Sequence, residues 1–544
     1  MTFIAKRLAK KLATTGGVPL LLVLSLTMCS EDVLDKQPLG TLTDETFYKT
    51  EKDFDAATLA PYSTMLNLTY EQNGAGLWNG FLKPDDDVQH RDPNDAMDVF
   101  NWTPTNNNFG WVWANAYKGI ARANTVLDQL PKADRFGDPS KKPRYEAEAK
   151  FMRAWWYFLL ATNWGNVPLL TSVPTSIEGT MVGNSAPGEV WDLIEADLTF
   201  AAANLPADYG NEKGRATKWT AQALLGKVQI YRAQWFNLPA KYTAAATNLQ
   251  AVVNSNAFKL TANYGDNFSQ TRENNEESLF EVQDTEGDNI NSWGTTDTGG
   301  RAGHAWTIYV SPSCYYGPVT GCAPKSWGMG YGQIDITPSL FAEFEPGDPR
   351  RYYTMYSEGE VYDGTTSPPT LFSAGWSRTG HTPAKYNRPW DPNRFPNNWS
   401  ENNLRLIRYA DVLLLLAEAK LLGANDVAGA AALVNQVRAR ARTTPVPAEA
   451  NITPNLPDVP AAGAPAAWHR QYLQHERRVE LATEWDYRYE DLVRWHRAGL
   501  INIKTDVNFG YPESNANWKE TYLLKPVPQS EIDLNPNLQQ NPGY

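Results

Sequence analysis

The sequence predicts a mainly α-helical protein with long aromatic-rich loops, a few short β-strands and a secretory leader. Three observations carry this reading. Apolar residues recur at helical spacing in several long segments, the pattern breaks down between Tyr264 and Asn403, and a basic, then apolar, stretch opens the chain.

The helices follow in order. Trp113, Tyr117, Ile120 and Leu127 form one stripe, with Asn124 on it. Met152, Trp155, Trp156, Leu159 and Leu160 fall at i, i+3, i+4, i+7 and i+8, the signature of one apolar helix face. Val190, Leu193, Ile194 and Leu198 repeat it, and Leu224, Val228, Tyr231 and Trp235 continue it. Further helices are predicted over Leu404 to Leu422, over Val427 to Ala441 after a Gly-Ala-Asn-Asp break, and over Trp468 to Arg497. Neighbouring amphipathic helices with short connections can bury their stripes against each other, so helix pairs are expected. No fixed-period repeat is readable.

Between Tyr264 and Asn403, Gly, Asn, Ser, Pro and scattered Trp dominate. Short β-like pieces stand out at Ser278 to Gln283 and Ala305 to Val310. Loops this long are commonly functional or disordered, and the aromatic content favours ordered and functional. The Pro/Ala-rich stretch Pro445 to Pro465 reads as an exposed excursion. The 20 Trp and 26 Tyr exceed what a helical core needs, so some rings are expected on the surface as binding platforms.

Lys6, Arg7, Lys10 and Lys11 precede the apolar run Val18 to Met28, too short to span a bilayer, which needs ~20 apolar residues. Cys29 follows directly and resembles the acylated cysteine of bacterial lipoproteins. Residues 1–28 are thus expected to be a lipoprotein signal peptide. Residues 29–544 form one unit, with an N-terminal helical half over about 29–260 and a C-terminal loop-rich and helical half over about 261–544. Acylation at Cys29 would tie the protein to a membrane outside the cytoplasm, each buried methylene contributing ~0.8 kcal/mol. In that oxidising setting Cys314 and Cys322, flanking a short loop, are expected to pair.

A net charge of −12 argues against a nucleic-acid partner, which requires basic patches. Catalytic signatures are missing. Gln333 occupies the third glycine position after Gly328-Met329-Gly330, Gly226-Lys227 lacks the upstream glycine of a phosphate loop, and there is no Gly-x-Ser-x-Gly. The six histidines lack metal-ligand spacing, and no metal or other cofactor is expected. Asp85-Asp86-Asp87 and Asp284 to Asn289 offer hard oxygens for calcium, with loop capping the favoured role.

Several segments, taken in order, resemble the SusD/RagB lipoproteins. Cys29, Leu34, Pro38, Phe47 and Tyr62 match the mature N-terminus, and Tyr145 to Tyr157 with Asn163 to Leu169 match the most recognisable helix and its exit turn. Gly214-Arg215-Ala216-Thr217-Lys218, Phe344 to Arg351, Arg408 to Leu414 with Ala417-Glu418-Ala419, and Val434 to Arg440 continue the series. Glu476 to Leu481, Asp491 to Trp495 and Pro526 to Tyr544 complete it.

The resemblance implies a SusD-like fold on tetratricopeptide-like helix pairs, outer-membrane placement, and a SusC-like TonB-dependent transporter as partner. It implies delivery of glycans, or for some members peptides, and Ser30-Glu31-Asp32 looks like the acidic surface-export signal. Arg153, Arg408, Glu418, Arg477, Glu480 and Arg494 lie in the matched helices and are expected to pair charges inside the scaffold. Asp86 and Asp87 are also expected to be structural.

A sugar ring offers an apolar C–H face and a hydroxyl rim, which suit Trp or Tyr beside Asn, Asp, Gln or Arg. Two loop clusters fit. One is Trp78, Asn79, Arg91, Trp102 and Asn106; the other is Trp293, Trp306, Tyr309 and Trp327, with Tyr315 and Tyr316. The function expected is glycan capture without catalysis. A peptide-binding or purely lid-type transporter partner and a helical glycoside hydrolase are the competing classes.

Overall fold

The computed structural model describes residues 44–68, 85–284, 310–312, 332–364, 367–387, 400, 402–484 and 487–544. Among its helices are α1 (Glu51–Ala57), α2 (Leu59–Ser63), α3 (Asn107–Gln129), α4 (Lys142–Trp164), α5 (Glu189–Asn204), α6 (Lys218–Trp235) and α7 (Ala240–Asn254). After the loop-rich middle come α8 (Tyr409–Ala424), α9 (Val427–Thr443), α10 (Gln474–Leu481) and α11 (Tyr487–Arg497). Eight short strands intervene: β1 (Val88–His90), β2 (Ser278–Val282), β3 (Ile334–Ile336), β4 (Met355–Tyr356), β5 (Val361–Asp363), β6 (Thr370–Leu371), β7 (Thr382–Pro383) and β8 (Leu404–Arg408).

From α3 to α9 each of these helices packs on the next, including α7 on α8 across about 150 intervening positions. The loop-rich middle is therefore an insertion into a continuous helical array. Local chemistry sets the helix ends. Asn106 caps α3 by accepting from Asn108 N at 3.0 Å, and Thr217 and Thr220 form a reciprocal cap at the start of α6. Asn425, left-handed at φ 54°, ends α8, and the Asp426 carboxylate then accepts from Gly429 N at 2.8 Å to start α9. Close helix approach depends on Gly119, where an added Cβ would lie 2.1 Å from the Trp156 indole nitrogen.

Three expectations change in the folded chain. The stripe on α4 becomes burial on every side from Phe151 to Trp164, because α3 and α5 cover opposite flanks. Leu404–Arg408 is a strand rather than the first turn of a helix, since β8 pairs antiparallel with β2 and all five of its residues are buried. A short apolar run of this kind has no period that distinguishes strand from buried helix. The helix expected over Trp468 to Arg497 is broken after Leu481, and Thr483 takes φ 58° in the break. Helix α7, rich in Ala and Thr, had no strong stripe to announce it.

One hydrophobic core runs from Met65 to Leu538 and draws on both halves of the chain. A smaller cluster gathers Phe54, Phe136 and Tyr145, and another gathers Tyr356, Tyr362, Phe372 and Trp376. The stretch from Pro445 to Pro465 is mostly exposed, pinned by buried Ala450, Leu456 and Val459.

A buried ionic lattice threads this core. Glu480 accepts from Arg350 and Arg408 at 3.1 Å and from Arg440 at 2.5 Å. Glu277 is shared by Arg408 and Arg440, and Glu484 by Arg408 and Lys385. Burial alone would raise the Glu480 pKa, but the surrounding guanidiniums hold it well below the carboxylate range. Glu418 accepts from Arg494, Gln234 and the Trp495 indole, Arg477 bridges Asp411 and Asp491, and Arg153 grips Asp197 at 2.7 and 2.9 Å. All six charged residues singled out in the sequence motifs are in this scaffold.

Candidate functional site

The two loop clusters share a footing. Residues 69–84 re-enter the described fold just before β1, and residues 313–331 just before β3, and these strands pair antiparallel. Val88 faces Ile336, Gln89 faces Asp335, His90 faces Ile334, and Arg91 N donates to Gln333 O at 2.8 Å. The departure points are also neighbours. Leu66 and Gln283, shortly before residues 69 and 285, line the same cavity of about 570 Å³. Described residues that flank a third segment, 388–399, also lie close by: Asn387 is 3.5 Å from the Ser311 hydroxyl, and Asn403 Oδ1 accepts from Asp284 N at 2.8 Å.

The cavity has an apolar wall and a charged rim. Tyr62, Met65, Phe280 and Val282 supply the wall, while Asp55 and Lys213 stand among the polar groups. Arg215 is fixed by Glu148 and Glu212, each at 2.8 Å. Gly214 is required in this strip: its φ is +86°, and a Cβ would come 2.4 Å from Gln283 Cγ. Nothing in the spacing of these residues along the sequence announced the cavity.

At the ribbon, the Asp335 carboxylate is buried and accepts from Arg378 N at 3.2 Å. Burial pushes its pKa up to about 6, opposed by the Ser377 hydroxyl and by the nearby Arg91 and Arg378 guanidiniums. Phe341, 39 % exposed, stacks on His381 with ring centres 4.0 Å apart. That aromatic face also escaped the sequence reading, because the partners are about forty residues apart.

The candidate residues separate. Arg91 stays half-buried beside the ribbon. Trp102, however, is 4 % exposed, packs on Phe100, Phe109 and Tyr522, and donates its indole N–H to the Tyr544 hydroxyl at 2.9 Å. Its place is the core, not a binding surface. Asn106 is the α3 cap, with its amide 3.5 Å from Met97 Sδ. Trp78, Asn79, Trp293, Trp306, Tyr309, Trp327, Tyr315 and Tyr316 lie outside the described residues, as do Cys29, Cys314 and Cys322.

The acidic triplet caps and pairs. Asp85 Oδ1 accepts from Asp87 N at 2.8 Å and Val88 N at 3.0 Å. Asp86 meets Arg488 at 2.6 Å, and Asp87 meets Arg478 at 2.7 Å. Among the described residues no three His, Cys, Asp or Glu side chains gather as a metal would require. No described helix is long and apolar enough to cross a membrane.

The chain is thus a scaffold of packed helices with long aromatic-rich segments set on a shared footing. Comparison with known proteins specifies the family. Residues 276–544 match the family model described as "SusD family", and residues 45–230 match "Starch-binding associating with outer membrane". The chain is 25 % identical to SusD-like protein P25 of Formosa agariphila, across 96 % of this chain and 98 % of that one. A SusD-like protein of Bacteroides ovatus is 28 % identical, across 86 % and 80 %. Among solved structures, a laminarin-binding SusD-like protein superposes with a TM-score of 0.71 at 27 % identity, covering 91 % of this chain and all of that one. The chain belongs to the SusD/RagB family.

Proposed function

We propose that this protein is a surface-exposed lipoprotein, acylated at Cys29, that captures an oligo- or polysaccharide and delivers it to a SusC-like TonB-dependent transporter without catalysing a reaction on it. The shared footing of the two aromatic-rich segments carries the reading, because one ligand could then meet both. The tryptophans point the same way. Ten of the thirteen in the described residues are buried, and the candidate platforms Trp78, Trp293, Trp306 and Trp327 are among the other seven. Asn79, Arg91 and Tyr309 are the polar and phenolic neighbours that would bond the hydroxyl rim. A starch-binding description and a laminarin-binding relative support the ligand class, and the same description's outer-membrane association supports the placement.

Covering one sugar face at ~25 cal/mol per Å² contributes about 1–2 kcal/mol. Several rings then give ~4–6 kcal/mol, millimolar to tens of micromolar binding, which suits a protein that must release its cargo. The test is affinity electrophoresis of the chain from Ser30 onward through gels carrying plant, fungal and host polysaccharides. Retardation by one polymer, lost in Trp306→Ala and Trp327→Ala at unchanged stability, is the expected result. No retardation by any polymer would favour a peptide ligand or a lid-type role, and release of reducing ends would establish a glycosidase.

A further inference from the structure

A second cavity, of about 360 Å³, lies across the Lys213-Gly214-Arg215 strip from the first, and both cavities include that strip in their walls. Its character is different. Two half-buried rings, Tyr209 and Phe258, stand beside the amides of Asn274 and Asn275 and two charged side chains, Lys213, 3.8 Å from Asp208, and Glu276, 3.3 Å from Arg272. The volume is at the small end of ligand pockets, which run from about 300 to 1,000 Å³.

The walls are fixed before any ligand arrives. Asn274, left-handed at φ 49°, donates its N–H to both Glu281 carboxylate oxygens at 3.0 and 3.1 Å and its amide to Gln283 at 2.9 Å. Asn275 donates to Asp266 O at 3.3 Å and accepts from Glu277 N at 2.9 Å. The Arg144 and Arg215 guanidiniums lie 4.9 and 5.9 Å from the Tyr209 ring centre, and Arg215 is pinned to the fully buried Glu148. Such preorganisation limits the ordering cost of binding.

Charged groups of both signs and amides line this cavity beside aromatic carbon. That composition suits a neutral polyhydroxylated ligand better than an ion, which would call for one sign of charge, or an apolar segment, which would desolvate the charged rim. We infer that the cavity beyond Gly214 is a second carbohydrate subsite, reached by a glycan chain long enough to cross from the loop footing over the Lys213–Arg215 strip. The inference rests on the glycan-binding function proposed above. Two weak subsites on one polymer raise its affinity without any new contact, because the second binding event becomes intramolecular.

Three exposed positions line only this second cavity, Ala207, Asp208 and Ala257. Ala257→Trp would fill it, and Asp208→Ala would remove a rim acceptor, with the fold intact by circular dichroism and melting. The chain from Ser30 onward is run against the same polysaccharide panel, then against oligosaccharides of increasing length from the polymer that retards it. Affinity should rise in two steps with length in the wild type. Ala257→Trp should remove the second step, weakening polymer binding roughly tenfold, a modest part of what linking two sites can give. Binding of the shortest ligands should not change. A single step, or polymer binding equal in wild type and Ala257→Trp, overturns the subsite and leaves the proposed function standing. A wild type that binds no polysaccharide overturns both.

Discussion

The α8–α11 scaffold and the β1–β3 footing handle charge in opposite ways. In the scaffold, Glu480, Glu277, Glu418 and Asp491 are buried but each is surrounded by guanidiniums that hold its pKa down. At the footing, Asp335 is buried with the Ser377 hydroxyl and the Arg378 N–H against it, and its pKa rises to about 6. The first arrangement is closed: each charge is matched, and a ligand has nothing to gain there. The second is incompletely compensated and stands where the aromatic-rich segments begin and end. The recognisable motifs Glu476 to Leu481 and Asp491 to Trp495 belong to the closed region, whereas Gly214-Arg215 lines both cavities.

The sharpest way to break that contrast is to unbalance the lattice. Glu480→Ala leaves Arg350, Arg408 and Arg440 short of a shared carboxylate, and removal of one partner from a buried ion group costs about 3–5 kcal/mol. Urea denaturation should show this loss, whereas Trp306→Ala should change polysaccharide retardation with little effect on the urea midpoint. If Glu480→Ala were as stable as the wild type, the ion lattice would not be holding the scaffold.

Acid and base should attack different parts of the molecule. Carboxylates with lowered pKa stabilise the fold above their ordinary range near 4–4.5, so stability should fall as pH drops through and below that range. His475 behaves in the opposite sense. Burial would lower its pKa, but hydrogen bonds to Glu343 at 2.6 Å and Glu345 at 3.3 Å raise it to about 9. Its contribution is complete below about 6.5 and is lost as pH rises to about 9, a change of order 1–3 kcal/mol. Thermal melts between pH 6 and 10 should show that slope, and His475→Gln should flatten it.

Packing provides a third comparison. Gly119→Ala forces a methyl group against Trp156 and should cost about 1–3 kcal/mol in denaturant unfolding. The same substitution at Gly137, where an added Cβ meets nothing within 4 Å, should change little. A modest effect is expected of Asn106→Ala, which removes the α3 cap for about 1 kcal/mol. It should leave polysaccharide retardation unchanged; a loss there at unchanged stability would return Asn106 to the binding surface.

Several elements were legible before any coordinates. Helices α3, α4, α5 and α6 follow from apolar spacing, and the Asn425-Asp426 break follows from residues that stop one helix and cap the next. The pairing role of Arg153, Arg408, Glu418, Arg477, Glu480 and Arg494 was also readable, since long charged side chains among apolar neighbours need partners. Trp102 shows the limit. An aromatic residue beside polar neighbours reads alike as platform or core, and only its contact with Phe100, Tyr522 and Tyr544 distinguishes them.

The sequence by itself determined the helical class, most helix positions and the family, because these depend on local spacing, caps and ordered motifs. The tertiary structure decided the β2–β8 pairing, the placing of Trp102 and Asn106, the neighbourhood of β1 and β3, and the two cavities divided by Gly214. Each of these is a contact between positions distant along the chain or a choice between burial and exposure, and neither leaves a period in the residues that make it.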